Sequence, residues 1–192
     1  MKKIALFLML FLFAIMARAQ EASISGFILK PDGGPVTGVT VKLLNAQGQV
    51  VATTVAGGNA QYQFSDVPAG QEYTVVPELS GQALEGVSTL DIVIGAQYIL
   101  AIIQLDSPFK LLAADVNDSG SLTTLDLIEM RRLILGVTGN FAHNWLFFRT
   151  DIQFANDNNP WAGYSSDNGT VFLEGDVTGF DFYAVKVGDL SW

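Results

Sequence analysis

The sequence predicts a mostly β protein with a small α part: an N-terminal β-sandwich, a two-helix module behind it, and a β-rich tail. Three observations carry this. From Ala22 to about Pro77, apolar and polar residues alternate in short runs that Gly and Pro interrupt. After Pro77 the apolar spacing turns helical in two related segments. Finally, Phe141 to Trp192 holds 12 of the chain's 21 aromatic residues.

Ahead of the sandwich stands MKKIALFLMLFLFAIMARA, with Lys2 and Lys3, an apolar run from Ile4 to Ala17, and the small-x-small end Ala17-Arg18-Ala19. Residues 1–19 therefore read as a secretory signal peptide, with the mature chain starting at about Gln20. No later stretch reaches the roughly 20 apolar residues that a membrane span needs. The expectation is a chain that is secreted or held at the cell surface and does not span a membrane.

The 192 residues carry 10 basic and 19 acidic side chains, one histidine and no cysteine. The leader takes three of the basic residues and none of the acidic ones, which leaves seven against 19, a net charge of −12. That excess argues against nucleic acid and anionic membranes as partners and suits divalent cations. Export permits disulfides, but without cysteine the loops need another tie.

The sandwich is read from four runs, SISGFIL (23–29), GVTVKLL (38–44), AQYQF (60–64) and EYTVVP (72–77), separated by the turns KPDGGP, NAQGQ, VAGGN and VPAG. Val39, Val41 and Leu43 alternate with Thr40 and Lys42, and Tyr62 and Phe64 with Gln61 and Gln63. Period-two apolarity means strands with one buried face, and turn signals at this spacing suggest a small sandwich. Gly26, the run from Gly33 to Leu43, the Tyr62-x-Phe64 strand and the run from Val67 to Pro77 resemble the carboxypeptidase regulatory-like and Cna B-type sandwich family. The resemblance implies a domain over residues 20–79. Ala60 departs from it, since relatives place a glycine two residues before the tyrosine. Some relatives crosslink a strand lysine to an asparagine, but the alternation points Lys42 to solvent as an ordinary exposed lysine.

Ser88–Leu100 (STLDIVIGAQYIL) and Thr123–Leu135 (TTLDLIEMRRLIL) are two copies of one unit at an offset of 35 residues. Each opens with a hydroxyl-x-x-Asp capping box and continues with apolar residues at helical spacing, so the two helices should bury their apolar faces on each other. A capped turn accounts for the first copy without any metal. The second carries more upstream: Asp115, Asn117 and Ser119 stand at alternate positions 1, 3 and 5 of a twelve-residue loop. Gly120 at position 6 allows the sharp turn, Ser121 at 7 offers its carbonyl, Thr123 stands at 9 and Asp126 closes at 12. Calcium takes six to eight hard oxygens, and this spacing aims alternate side chains inward. With two charged ligands and a short closing Asp, affinity should be modest, enough for the millimolar calcium found outside cells.

DVNDSGSLTTLDLIEMRRLIL (115–135) and its duplication resemble type I dockerins, and the openings GVSTLD and YAVKVGDL are similar to dockerin-like modules of exported bacterial surface proteins. The dockerin-like module, with its tail, is expected over residues 80–192. The resemblance implies a cohesin-like protein or other surface protein as partner, in an assembly linked to polysaccharide breakdown, met through Thr124, Leu125, Arg131 and Arg132. The matching positions of the first copy, Thr89, Leu90, Ala96 and Gln97, lack the basic pair. An ion pair between Glu129 and Arg132 is the plainer use of that pair, and the two readings stand side by side. Asp189 and Ser191 look like positions 1 and 3 of another loop opening, while Ser88 and Asp91 stand at 9 and 12 with no acidic residues before them. The two halves could meet in a composite second calcium site, or Asp189 could be a polar end to the last strand.

The aromatic tail is either a small core under long loops or a sugar-stacking platform around Trp145, Trp161 and Tyr164, and alternation in DFYAVKVGDL favours core. His143 is the sole histidine, no serine sits in a nucleophile elbow, and every Asp with a recognisable setting lies in a loop, cap or turn, so catalysis is not expected. The expectation is a non-catalytic attachment protein with calcium as its cofactor. A carbohydrate-binding or adhesive module is the competing class, and a spacer that binds only calcium is the third.

Overall fold

The computed structural model describes residues 20–163 and 169–192; the expected leader and Tyr164 lie outside them. Along the chain run β1 (Glu21–Leu29), β2 (Thr40–Asn45), β3 (Val50–Val55), β4 (Gln61–Pro68) and β5 (Gln71–Glu78), then α1 (Thr89–Ile99), α2 (Pro108–Ala114) and α3 (Thr124–Ile134), then β6 (Trp145–Arg149), β7 (Thr170–Leu173) and β8 (Phe182–Lys186). They form two four-stranded sheets in the orders β4-β1-β8-β6 and β3-β2-β5-β7. The mostly β, sandwich-like architecture expected from the alternation is present. No helix among the described residues is long and apolar enough to cross a membrane.

The period-two residues do what the pattern requires. Ile24, Ile28, Val41, Leu43, Tyr62 and Phe64 are buried between the sheets. Lys42 faces outward, half-exposed, and pairs with Glu78. Ala60, the departure from glycine, holds a left-handed φ of 62° while fully buried, its carbonyl accepting from the Ile28 N–H.

The sheets do not end where the sequence divides the chain, at residue 80. β8 joins β1 in parallel, β6 joins β8, and β7 joins β5, so the tail completes both sheets. The physical reason is length: tail strands of five, four and five residues cannot stand as a sheet of their own and satisfy their backbone groups on existing strands. Gly26 permits this on β1, because a Cβ there would lie 2.3 Å from the Phe180 carbonyl oxygen. The Tyr62 hydroxyl donates to that same carbonyl, and burial pushes its pKa up.

Two strands of the tail face two cores. Phe182 and Ala184 of β8 and Trp145 of β6 point into the sandwich, whereas Val185 and Phe148 point to the other side, under the helices. Trp145 is 6% exposed, which removes it from the sugar platform considered above. α1 and α3 pack against each other, helped by Gly95, where a Cβ would fall 2.7 Å from Leu127 Cδ2. The molecule is thus layered as sheet, sheet and helices.

Candidate metal centre

α2 is started by Ser107, whose hydroxyl accepts from the Phe109 N–H, with Pro108 at the first helical position. It ends at Asp115, and the chain enters the 115–126 loop over Val116, which is buried in the helical core. The two carboxylates hold the ends of the loop. Asp115 accepts from the N–H groups of Ser119 and Gly120, each at 2.8 Å, which curls the first half around its side chain. Asp126 is fully buried; it accepts from the Thr123 N–H (2.8 Å) and hydroxyl (3.0 Å) and, across the loop, from the Asn117 N–H (3.3 Å). The Ser119 hydroxyl donates to the Ser121 carbonyl at 3.2 Å. Gly120 takes a left-handed φ of 79° at the turn.

Each of the six predicted residues therefore lies on one closed loop. One atom in it is anomalous: Asn117 Oδ1 is buried and has no hydrogen-bond partner. A buried carbonyl oxygen in that state costs about 1–3 kcal/mol. Two carboxylates, an orphaned amide oxygen, hydroxyls and a carbonyl are the hard-oxygen chemistry that calcium takes. Among the described residues there is no cluster of three or more His, Cys, Asp or Glu, so the charged share of the donor set is the two carboxylates.

The first repeat has the same capping box: Ser88 donates to Asp91 Oδ2 through its N–H (2.7 Å) and hydroxyl (2.9 Å). The C-terminal segment folds back onto it. The Leu190 N–H donates to Asp91 Oδ1 at 2.7 Å, and Asp189, which accepts from the Ser191 N–H and hydroxyl, presses its other oxygen against Gly86. Gly86 is the residue matched by Ser121 at the offset of 35, and a Cβ there would fall 2.2 Å from Asp189 Oδ2. So Ser88, Asp91, Asp189 and Ser191 are brought together. Burial raises the pKa of Asp189, with a further push from Asp91. Sequence reasoning missed a fifth member. Lys186 is buried, its ammonium donating to the carbonyls of Ala83 (2.9 Å) and Val187 (2.7 Å). Its signal was a lysine at the inward parity of a strand, three residues before an aspartate.

The expected partner-binding residues lie on the open side of α3. Thr124, Leu125, Arg131 and Arg132 are exposed, and Arg132 pairs with Glu129 at 2.8 Å while remaining accessible. An exposed pair of this kind contributes little to stability.

Fold and site together define a β-sandwich that carries a capped, repeated helix pair on one sheet. Residues 23–105 match the family model of the carboxypeptidase regulatory-like domain, and the N-terminal part of the chain carries that domain. The match stops short of the 115–126 loop and of β6 to β8. Colossin-A of Dictyostelium discoideum is 34% identical over 58 residues, 30% of this chain and 0% of that protein at whole-per-cent precision. Among solved structures, BcpA, the major pilin subunit of Bacillus cereus, aligns at 18% identity and a TM-score of 0.29 over 30% of this chain and 18% of the pilin. A variant of the same pilin aligns at 18% and 0.27 over 32% and 20%. The chain spans well under two thirds of each of these proteins.

Proposed function

We propose that this is a non-catalytic attachment protein of extracellular or cell-surface assemblies, which binds calcium in the 115–126 loop and docks a cohesin-like protein on its repeated helix face. One observation carries the reading. Leu90, Val93, Leu100 and Ile102 are matched 35 residues on by Leu125, Ile128, Leu135 and Val137, and every one of the eight is at least 50% exposed. Single exposed apolar residues are ordinary; a set repeated position for position on two adjacent helices and the turns that end them marks an interaction surface. The complementary positions, Asp91 with Asp126 and Gly95 with Met130, are buried, so the outward set is surplus to the core.

Calcium would be held by Asp115, Asn117, Ser119, Thr123, Asp126 and the Ser121 carbonyl. It would supply the charge that the two carboxylates lack and give Asn117 Oδ1 a partner. Its effect on binding is positional, since it fixes the start of α3 and with it Leu125, Arg131 and Arg132. A link to polysaccharide breakdown follows from the dockerin-like assembly alone.

A carbohydrate-binding reading has one observation in its favour, a cavity of about 310 Å³ beside the loop where Trp161, His143 and Asp118 meet an apolar floor. Both are tested together. In calcium, the immobilised chain should capture a secreted protein that chelator releases and that the Leu90→Asp/Leu125→Asp variant fails to capture. Capture that ignores the double variant refutes the docking face, and a glycan signal lost in Trp161→Ala establishes the second reading.

A further inference from the structure

We infer that the resident cation of the composite site formed by the first repeat and the C-terminal segment is the Lys186 ammonium, in place of a second calcium ion. The inference does not depend on calcium in the 115–126 loop.

Asp91 is fully buried and Asp189 is 6% exposed. Two buried carboxylates in segments joined by the Leu190 N–H on Asp91 require a counter-charge. Lys186, itself 3% exposed, is the buried cation beside them: its Nζ is held by the Ala83 and Val187 carbonyls and makes no direct ion pair with either carboxylate, and Asp189, Glu85 and Asp91 favour its charged form through space. Burial brings the Lys186 pKa down to about 8, which still leaves the group charged at neutral pH. The rings of Phe141 and Trp145, with centroids 5.8 and 5.9 Å from Nζ, face the cation from the remaining sides.

The ammonium is bonded to the loop itself. Ala83, whose carbonyl it holds, corresponds at the offset of 35 to Asp118 inside the calcium loop of the second repeat. The four side chains of the composite site fall short of the six to eight oxygens calcium takes, so backbone carbonyls or water would have to complete the shell. The Ala83 and Val187 carbonyls are already held by Lys186. The side chain is buried and its head lies over two aromatic rings, so a metal cannot take its place without moving a core residue. The first repeat is therefore closed by a tethered cation that dilution and chelators cannot remove.

The test titrates calcium chloride into the chelator-treated full chain by calorimetry, with NMR of the lysine ammonium protons alongside. The wild type should bind one ion, Asp115→Ala none, and Lys186→Met one more than the wild type. Calcium should leave a protected Lys186 ammonium resonance unchanged. Two ions on the wild type, one retained by Asp115→Ala, a folded Lys186→Met with no gain, or loss of that resonance on adding calcium would each overturn the inference. A wild type that binds no ion refutes calcium in the second loop only, and the ammonium resonance still decides the composite site.

Discussion

Asn117→Ala should change sign with calcium. The variant keeps the backbone N–H that donates to Asp126 and removes only the amide, whose Oδ1 is buried without a partner. In chelator the loss of that orphan relieves up to about 1–3 kcal/mol of desolvation, so the variant should be as stable as the wild type or more so. In calcium at about 100 times its dissociation constant, the wild type gains about 2.7 kcal/mol, and the variant, short of one oxygen, should gain much less. At roughly 2–4 °C per kcal/mol for a chain of this size, calcium raises the wild-type midpoint by about 5–10 °C and the two melting curves exchange order. Asp115→Ala cannot isolate the metal so cleanly, because it also strips the acceptor from the Ser119 and Gly120 N–H groups and weakens the loop in chelator. Differential scanning calorimetry in both conditions is the assay. An Asn117→Ala variant that loses more than about 1 kcal/mol in chelator, or that keeps the full calcium shift, refutes the assignment of Oδ1 as a ligand.

Ala101 ends α1 in a left-handed conformation, φ 56°, where the second repeat has Gly136 at φ 69°. Ala101→Gly should therefore stabilise by about 0.5–1 kcal/mol, the left-handed penalty less the entropy of glycine, read as a small rise in thermal midpoint. Gly26→Ala drives a Cβ into the Phe180 backbone and should cost about 3 kcal/mol or more; a midpoint within about 2 °C of wild type would contradict the close approach of the tail to β1. Arg131→Ala with Arg132→Ala should leave stability within about 0.5 kcal/mol while weakening partner capture, and unchanged capture removes the pair from the docking face. Calorimetry should show one transition that calcium moves as a whole, where two peaks with a single mover would separate the sandwich from the helices.

The local pattern was legible wherever one residue's surroundings are its sequence neighbours. Alternation at Val39, Val41 and Leu43 foretold burial on one face, and the capping boxes at Ser88 and Thr123 formed as spelled. The oxygens of the loop are set within twelve residues and could be counted in advance. What the sequence hid is long-range. Nothing in TVFL or FYAVK says which strand it will join, because an edge accepts any short strand with free backbone groups. The pairing of tail strands with strands before residue 80 was hidden for that reason. Trp145 was considered for a surface role because an aromatic residue looks the same in a core and on a platform until its strand partner is known; pairing with Lys186 on β8 turns it inward. Lys186 was hidden in the same way, since its carbonyl partner Ala83 lies 103 residues away.

The sharing of β8 and β6 between two cores also bears on how the loop and the sandwich communicate. Strands 21–78 alone leave β1 and β5 with bare edges, and the family match to residues 23–105 ends before the segments that cover them. One of those covering strands, β8, forms with its neighbour β6 the floor beneath α2 and the 115–126 loop, through Val185 and Phe148. Loosening the loop therefore loosens the floor, and with it the strand that closes β1. In this arrangement a metal held as proposed at Asp115 and Asp126 would act on the sandwich without touching it, while Lys186, at the end of β8, ties the first repeat to that strand through the Ala83 carbonyl.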